Sequence, residues 1–155
     1  MRVAIGQDSH RFDFTDQEKK LILGGVVFSG APPLRGNSDA DVVLHALTNA
    51  ISGITGKNIL GAVADCMCKE QGITDSAAYL EKALEYLQYK ITHISFSIEC
   101  AEPKLSSKIP EMRKKIATLT GTSETSIGIT ATTGDALTEF GKGQGVQVFC
   151  VITVE

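Results

Sequence analysis

The sequence contains no tryptophan, only three histidines among 155 residues, and no strongly basic tract. It also has no apolar run approaching the roughly 20 residues needed to cross a bilayer, so a membrane-spanning role is not expected. Lys and Arg number 15 against 18 Asp and Glu, a net charge of −3. Duplex nucleic acid is therefore not an expected partner, although a local basic cluster can still take phosphates. The opening segment carries a single Arg, and Gly6 and Asp8 break its apolar run, which predicts no signal peptide. The four cysteines, Cys66, Cys68, Cys100 and Cys150, are then expected as reduced thiols in a cytoplasmic protein. The Cys66-x-Cys68 spacing is one residue short of the common zinc and redox motifs, and structural cysteine is the better reading. No linker, repeat or low-complexity stretch interrupts the chain, so one domain is expected over residues 1–155. Its 43% hydrophobic and 21% charged residues suit a globular fold.

What is present alternates between strand and helix patterns. Residues 2–7 and 21–28 read as strands joined by the polar turn TDQEKK, followed by a Gly/Pro-rich loop. Ser38 is the expected N-cap of a first helix, with Asp39 and Asp41 in its first turn. Val43, Leu44, Leu47, Ala50, Ile51 and Ile54 give that helix a buried stripe; Asp41, His45, Asn49 and Ser52 lie opposite. Residues 56–72 show no clear period and read as a long loop. A second helix is expected from about Asp75 to Tyr89. In the strand ITHISFSIEC, Ile94, Phe96, Ile98 and Cys100 face one side. A third helix opens at Pro110 and ends near Gly121, and SIGITAT and VQVFCVITV complete the strands. This order predicts an α/β two-layer sandwich with three helices packed on one side of a β-sheet.

The scarcity of histidine lets each be weighed. His93 falls on the polar side of its strand, where solvation explains it. Asp8 and His10 are two residues apart in an extended segment and share a face, while His45 projects from the polar side of the first helix. A carboxylate and two imidazoles suit zinc, and three protein ligands leave a fourth position open, as in catalytic sites. The alternative from spacing alone is that Asp8 caps a turn and both histidines are solvated. A second constellation is TATTGDALTEFGKGQGV, where Thr132, Thr133 and exposed backbone N–H groups suit phosphate oxygens and Asp135 suits a divalent ion. A plain Gly-rich hairpin explains it equally. It lacks the Walker spacing and opens no helix, which excludes a P-loop and a dinucleotide fold. In the third, AEPKLSSKIPEMRKK, Lys104, Ser106, Ser107 and Lys108 stand between a strand and a helix, a setting also common for ordinary surface lysines. No serine or cysteine has the setting of an activated nucleophile. An open metal site beside two phosphate-friendly loops points to metal-assisted phosphoryl chemistry.

Taken in order, four motifs resemble the 2-C-methyl-D-erythritol 2,4-cyclodiphosphate synthases of non-mevalonate isoprenoid biosynthesis. They are G-x-D-x-H at 6–10, S-D-x-D-V-x-x-H-A at 38–46, P-K…I-P-x-M-R at 103–113 and A-T-T…L…G-x-G-x-G at 131–145. The resemblance implies a phosphorus–oxygen lyase, a homotrimer of α/β sandwiches with active sites between subunits. It implies zinc, or another divalent metal, on Asp8, His10 and His45. It further implies cytidine diphosphate binding by Ala101, Lys104, Leu105, Ser106, Ala131, Thr132 and Thr133, and Mg²⁺ or Mn²⁺ at Asp135. Thr133 and Asp135 match the family's catalytic positions; Asn37, Ser38, Asn58, Asp65 and Lys142 match further substrate-binding ones. The implied reaction closes 4-diphosphocytidyl-2-C-methyl-D-erythritol 2-phosphate into the 2,4-cyclodiphosphate and releases CMP. Several positions depart from the family: Asn37 stands for a His, Lys57–Leu60 for G-D-I-G, VADCM for F-P-D-T-D, Asp135 for a Glu, and Lys142 and Gln144 for Arg and Glu. Those departures keep two alternatives in view: a non-catalytic trimer binding metal and nucleotide or isoprenoid phosphate, and a zinc-dependent phosphohydrolase.

Overall fold

The computed structural model of the protein describes residues 1–155. Four strands form one mixed sheet: β1 (Arg2–Arg11), β4 (Ile91–Glu99), β5 (Ile127–Thr132) and β6 (Gly145–Val154). Their spatial order is β1-β6-β4-β5. β6 runs antiparallel to both neighbours, and β4 and β5 are parallel. Alternation decides the inner face: Ile94, Phe96 and Ile98 of β4, and Cys100 just after it, are buried with Val146, Val148, Cys150, Ile152 and Val154 of β6. All four cysteines are free.

Helices α1 (Val42–Thr55) and α4 (Ile109–Thr120) cover that face, with α3 (Ser76–Leu84) against α1. A fourth helix, α2 (Ala62–Lys69), occupies the segment expected to be a loop, so the helix count is four, not three. Leu60, Ala64, Met67 and Cys68 pack toward the core from this segment. The helix has only eight residues and no side-chain cap, and so carries little of the usual start signal. The expected strand over 21–28 is two strands, β2 (Leu21–Leu23) and β3 (Val26–Phe28), because Gly24 and Gly25 both take positive φ and turn the chain. α3 also ends five residues earlier than the expected helix.

Asp41, not Ser38, caps α1. Its carboxylate accepts the Leu44 N–H at 3.1 Å and the Gly24 and Gly25 N–H groups at 2.8 and 2.7 Å. One fully buried side chain thus closes the helix end and holds the β2–β3 turn to it. Burial pushes this carboxyl up to about 6 against its three backbone donors. Ser38 instead accepts the Ala40 N–H in a local turn. The polar side of α1 does not meet solvent, since β1 and α3 cover it: His45 is 7% exposed and Thr48 fully buried. Thr48 bonds to the Leu44 carbonyl and Asn49 to the Gln7 carbonyl, while the buried Ser52 hydroxyl has no partner.

Candidate metal centre and nucleotide-side loops

β1 extends through Arg11, and its pleat sends Ala4, Gly6, Asp8 and His10 toward the helices. α1 lies directly on this strand. A Cβ at Gly6 would meet the Ala46 carbonyl oxygen at 2.2 Å and the Ala50 nitrogen at 2.3 Å. The glycine therefore sets how closely the helix approaches, and that approach brings His45 over Asp8. His10 Nε2 lies 3.0 Å and His45 Nδ1 2.9 Å from the same oxygen, Asp8 Oδ2. The three side chains offer ligand atoms all within 4.8 Å of one another.

The donor chemistry fits a cation. His10 Nδ1 is 2.8 Å from the Arg35 carbonyl, which can only accept, so this nitrogen carries a proton. In the neutral ring Nε2 then points a lone pair at the carboxylate, an arrangement that calls for a proton or a metal ion between them. In the metal-free protein His10 holds that proton more tightly than a free imidazole does. His10 is raised above the ordinary imidazole value, chiefly by its hydrogen bond to Asp8, with burial opposing. Burial by itself would raise Asp8, but the two imidazoles beside it, His10 and then His45, hold it down at about 2. Metal must displace the His10 proton, so affinity will rise with pH through the raised His10 range and level off above it. The expected slope is about tenfold per pH unit for each proton displaced. Calorimetric titration with Zn²⁺ between about pH 5 and 8, in buffers of different ionisation enthalpy, counts those protons; a flat profile would contradict the assignment.

The tripod lines a cavity of about 320 Å³ with Asn37, Ser38, Leu60, Gly61, Ala64, Asp65, Cys68 and Tyr79. α2 thus supplies one wall, and Asp65 and Cys68 reach the site from it. Asn58 is exposed and does not line this cavity, since the chain turns into α2 only after Leu60. Lys19 ties down the rim, donating to the Leu34 and Gly36 carbonyls at 2.8 and 3.1 Å.

The other expected residues gather elsewhere. Glu99 pairs with Thr132 across β4 and β5, and the Ala101 N–H donates to the Phe140 carbonyl at 3.3 Å. The 101–106 and 131–142 segments therefore adjoin at the β5 edge. Ala131, Thr132, Thr133, Asp135, Lys104, Ser106 and Lys142 are exposed, and Leu105 is buried. Asp135 and Ala136 both take positive φ, a sharp turn within the loop. Glu99, which the motifs do not mark, holds this loop: Thr138 Oγ1 donates to its carboxylate and accepts the Gly141 N–H. The two groups are separate in one chain. Asp8 pairs with Val148, Val148 with Ile98 and Ile98 with Ala131, a separation of three inter-strand spacings, roughly 14 Å.

The chain matches the model of the YgbB family over residues 1–155. It is 51% identical over 155 residues to the 2-C-methyl-D-erythritol 2,4-cyclodiphosphate synthase of Chlamydia muridarum, covering 99% of this chain and 87% of that one. Identity to the synthase of the same name from Chlamydia trachomatis serovar L2b is 48%, with the same coverage. Among solved structures, a CDP-bound 2C-methyl-D-erythritol-2,4-cyclodiphosphate synthase superposes with a TM-score of 0.87 at 23% identity, covering 99% of this chain and 100% of that one, a likeness of fold. The CDP complex of IspF from Plasmodium falciparum gives 0.81 at 25% identity, covering 99% and 94%. Matched from end to end and half identical to named relatives, this chain belongs to the YgbB family of 2-C-methyl-D-erythritol 2,4-cyclodiphosphate synthases.

Proposed function

We propose that the protein cyclises 4-diphosphocytidyl-2-C-methyl-D-erythritol 2-phosphate to the 2,4-cyclodiphosphate, releasing CMP, in isoprenoid precursor biosynthesis. The observation that carries this reading is the convergence of Asp8, His10 and His45 within 4.8 Å, in a chain half identical to named synthases. An oxygen of the substrate's 2-phosphate attacks the β-phosphorus. The bond from that phosphorus to the bridging oxygen breaks, and CMP leaves with the oxygen. The substrate brings its own nucleophile, which accounts for the lack of an activated serine or cysteine. Asp8, His10 and His45 would hold Zn²⁺ or another divalent metal, which when bound supplies positive charge to a phosphoryl group. Asn37, Ser38 and Asp65, around the same cavity, are assigned to the erythritol and phosphate hydroxyls and oxygens. Ala101, Lys104, Leu105, Ser106, Ala131, Thr132 and Thr133 take the cytidine diphosphate, Lys142 adds positive charge, and Asp135 carries Mg²⁺ or Mn²⁺. Catalysis of this kind is mainly positioning and charge neutralisation.

The placement of the two groups favours a ring of copies. The tripod stands on β1 and the nucleotide-side loops adjoin β5, the two opposite edges of the sheet. A heterologous cyclic contact sets one copy's β1 edge toward its neighbour's β5 edge. Such a trimer would also cover Val3, Ile5, Phe149 and Val151, 37–64% exposed on the face away from the helices. Light scattering should then report three times the chain mass of 16.5 kDa.

The deciding assay offers the substrate and Mg²⁺ to metal-analysed protein and follows CMP and the cyclic diphosphate together. Equal amounts of both, abolished by a chelator, are expected. Metal-loaded protein yielding neither product would favour a binding protein, and CMP with a linear phosphate would favour a hydrolase. Asp135→Ala should raise the Mg²⁺ concentration needed for half-maximal rate by about tenfold or more, the loss of one carboxylate ligand. Its zinc content should stay at the wild-type level. An unchanged Mg²⁺ titration would remove Asp135 from the second ion site.

A further inference from the structure

The ligand His45 has a second neighbour that no family motif marks. Its Nε2 lies 2.8 Å from Ser76 Oγ, on the first residue of α3, and Ser76 is fully buried. The Ser76 hydroxyl in turn donates to the carboxylate of Asp39. That carboxylate also accepts the Ser76 N–H at 3.1 Å and the Asp41 N–H at 3.1 Å. A carboxylate engaged by these donors only accepts, so the single hydroxyl proton of Ser76 is committed to Asp39. The oxygen is left with lone pairs toward His45. His45 Nε2 must then carry the N–H, and the free lone pair of the ring is on Nδ1, facing Asp8 Oδ2 and the metal position.

We propose that Asp39 and Ser76 are positioning residues of the metal centre, fixing His45 in the one neutral tautomer that ligates through Nδ1. The inference rests on the metal assignment above and extends it one shell outward. Without the hydroxyl, Nε2 loses its acceptor, and Asp8 draws the proton to Nδ1, where it blocks the ligand atom. Outer partners of this kind orient the ring and raise its basicity, and their loss typically weakens metal binding about 10–100-fold. His10 has a backbone carbonyl in the same role, so only the His45 arm depends on side chains that can be mutated.

The test compares wild type, Ser76→Ala and Ser76→Thr. Zn²⁺ affinity is measured by competition with a chromophoric chelator, and the His45 tautomer by ¹⁵N chemical shifts in metal-free protein. Ser76→Ala should bind Zn²⁺ at least about tenfold more weakly and move the neutral ring toward the Nδ1–H form. Ser76→Thr, which keeps the hydroxyl, should restore both. Wild-type affinity in folded Ser76→Ala would overturn the proposal and leave the metal assignment standing. So would weaker binding with an unchanged tautomer and no rescue by threonine, the signature of a packing defect. Wild-type protein that takes up no Zn²⁺ would overturn the metal assignment and the proposal with it. Should Ser76→Ala not fold, Asp39→Asn keeps the shape and an acceptor oxygen but drops the charge. It must weaken Zn²⁺ binding several-fold, and unchanged affinity there would overturn the relay.

Discussion

Replacing His45 with alanine will strip the metal and lower turnover by roughly a thousandfold or more, while the chain still folds. The first part follows from geometry. His45 is the only ligand of the tripod contributed by a helix, and Asp8 with His10 alone leaves two protein ligands, below the three of ordinary catalytic zinc sites. Loss of the cation forfeits several kcal/mol of charge stabilisation at the reacting phosphoryl, and each ~1.4 kcal/mol is tenfold in rate. Folding survives even though His45 is buried rather than on an open polar face. The substitution removes its bond to Ser76 and its contact with Asp8, and leaves a small void. Asp8 keeps His10, and Ser76 keeps Asp39, so neither group is orphaned. A cost of about 1–3 kcal/mol is expected, against a native stability of roughly 5–15 kcal/mol. Zinc analysis, the CMP assay and thermal melting check the three statements separately. Stoichiometric zinc in the variant would refute the ligand assignment, and failure to fold would make His45 a structural residue.

His45 also marks the boundary of what the sequence could tell. The pairing of Asp8 with His10 on one side of a strand followed from the pleat, and the strands of the sheet followed from alternation. The polar stripe of α1 was visible too, but periodicity separates apolar from polar faces, not solvent from a hydrogen-bonded interior. α3 and β1 cover that stripe, and a polar face satisfied from outside the helix looks in sequence like one satisfied by water. The start of α1 was misplaced for a related reason. Ser38, Asp39 and Asp41 all suit an N-cap, and the choice of Asp41 is made by Gly24 and Gly25, far away in sequence, which share its carboxylate. α2 escaped because its eight residues follow Gly61, which offers no side-chain cap, and contain a single buried residue, Ala64. Ser76 gave no signal at all: its partners Asp39 and His45 lie 37 and 31 positions away, and a serine opening a helix is explained locally without them. The motifs therefore pick out Asp8, His10, His45 and the loops at the β5 edge, whereas the contacts that seat those side chains are set between elements.

The second large effect belongs to a residue with no side chain. Gly6→Ala should destabilise the fold by about 4 kcal/mol or more, above the usual range for overpacking. The added methyl would sit 2.2 Å from the Ala46 carbonyl oxygen and 2.3 Å from the Ala50 nitrogen, with the Asn49 carbonyl carbon at 2.9 Å. All three are backbone atoms of α1, so no rotamer change relieves the clash; the helix and strand must part by about 1 Å, against a close-packed interior. Gly6 and Asp8 face the same side of β1, and Ala46 follows His45 directly. Separation at Gly6 therefore carries His45 away from Asp8 Oδ2, and the ligand triangle opens. A displacement of that size in a positioned catalytic group costs about a hundredfold in rate, so activity should fall even where the variant is kept folded at low temperature. Measured together, the melting temperature and the Zn²⁺ affinity should both drop. The opposite control is Gly128→Ala, at a strand position where a Cβ meets nothing within 4 Å, and it should leave both close to wild type. If Gly6→Ala melted and bound Zn²⁺ like wild type, the close seating of α1 on β1 could not be what assembles the site. The glycine two residues before the aspartate is required for this reason: Asp8 and His45 meet only because nothing projects from position 6.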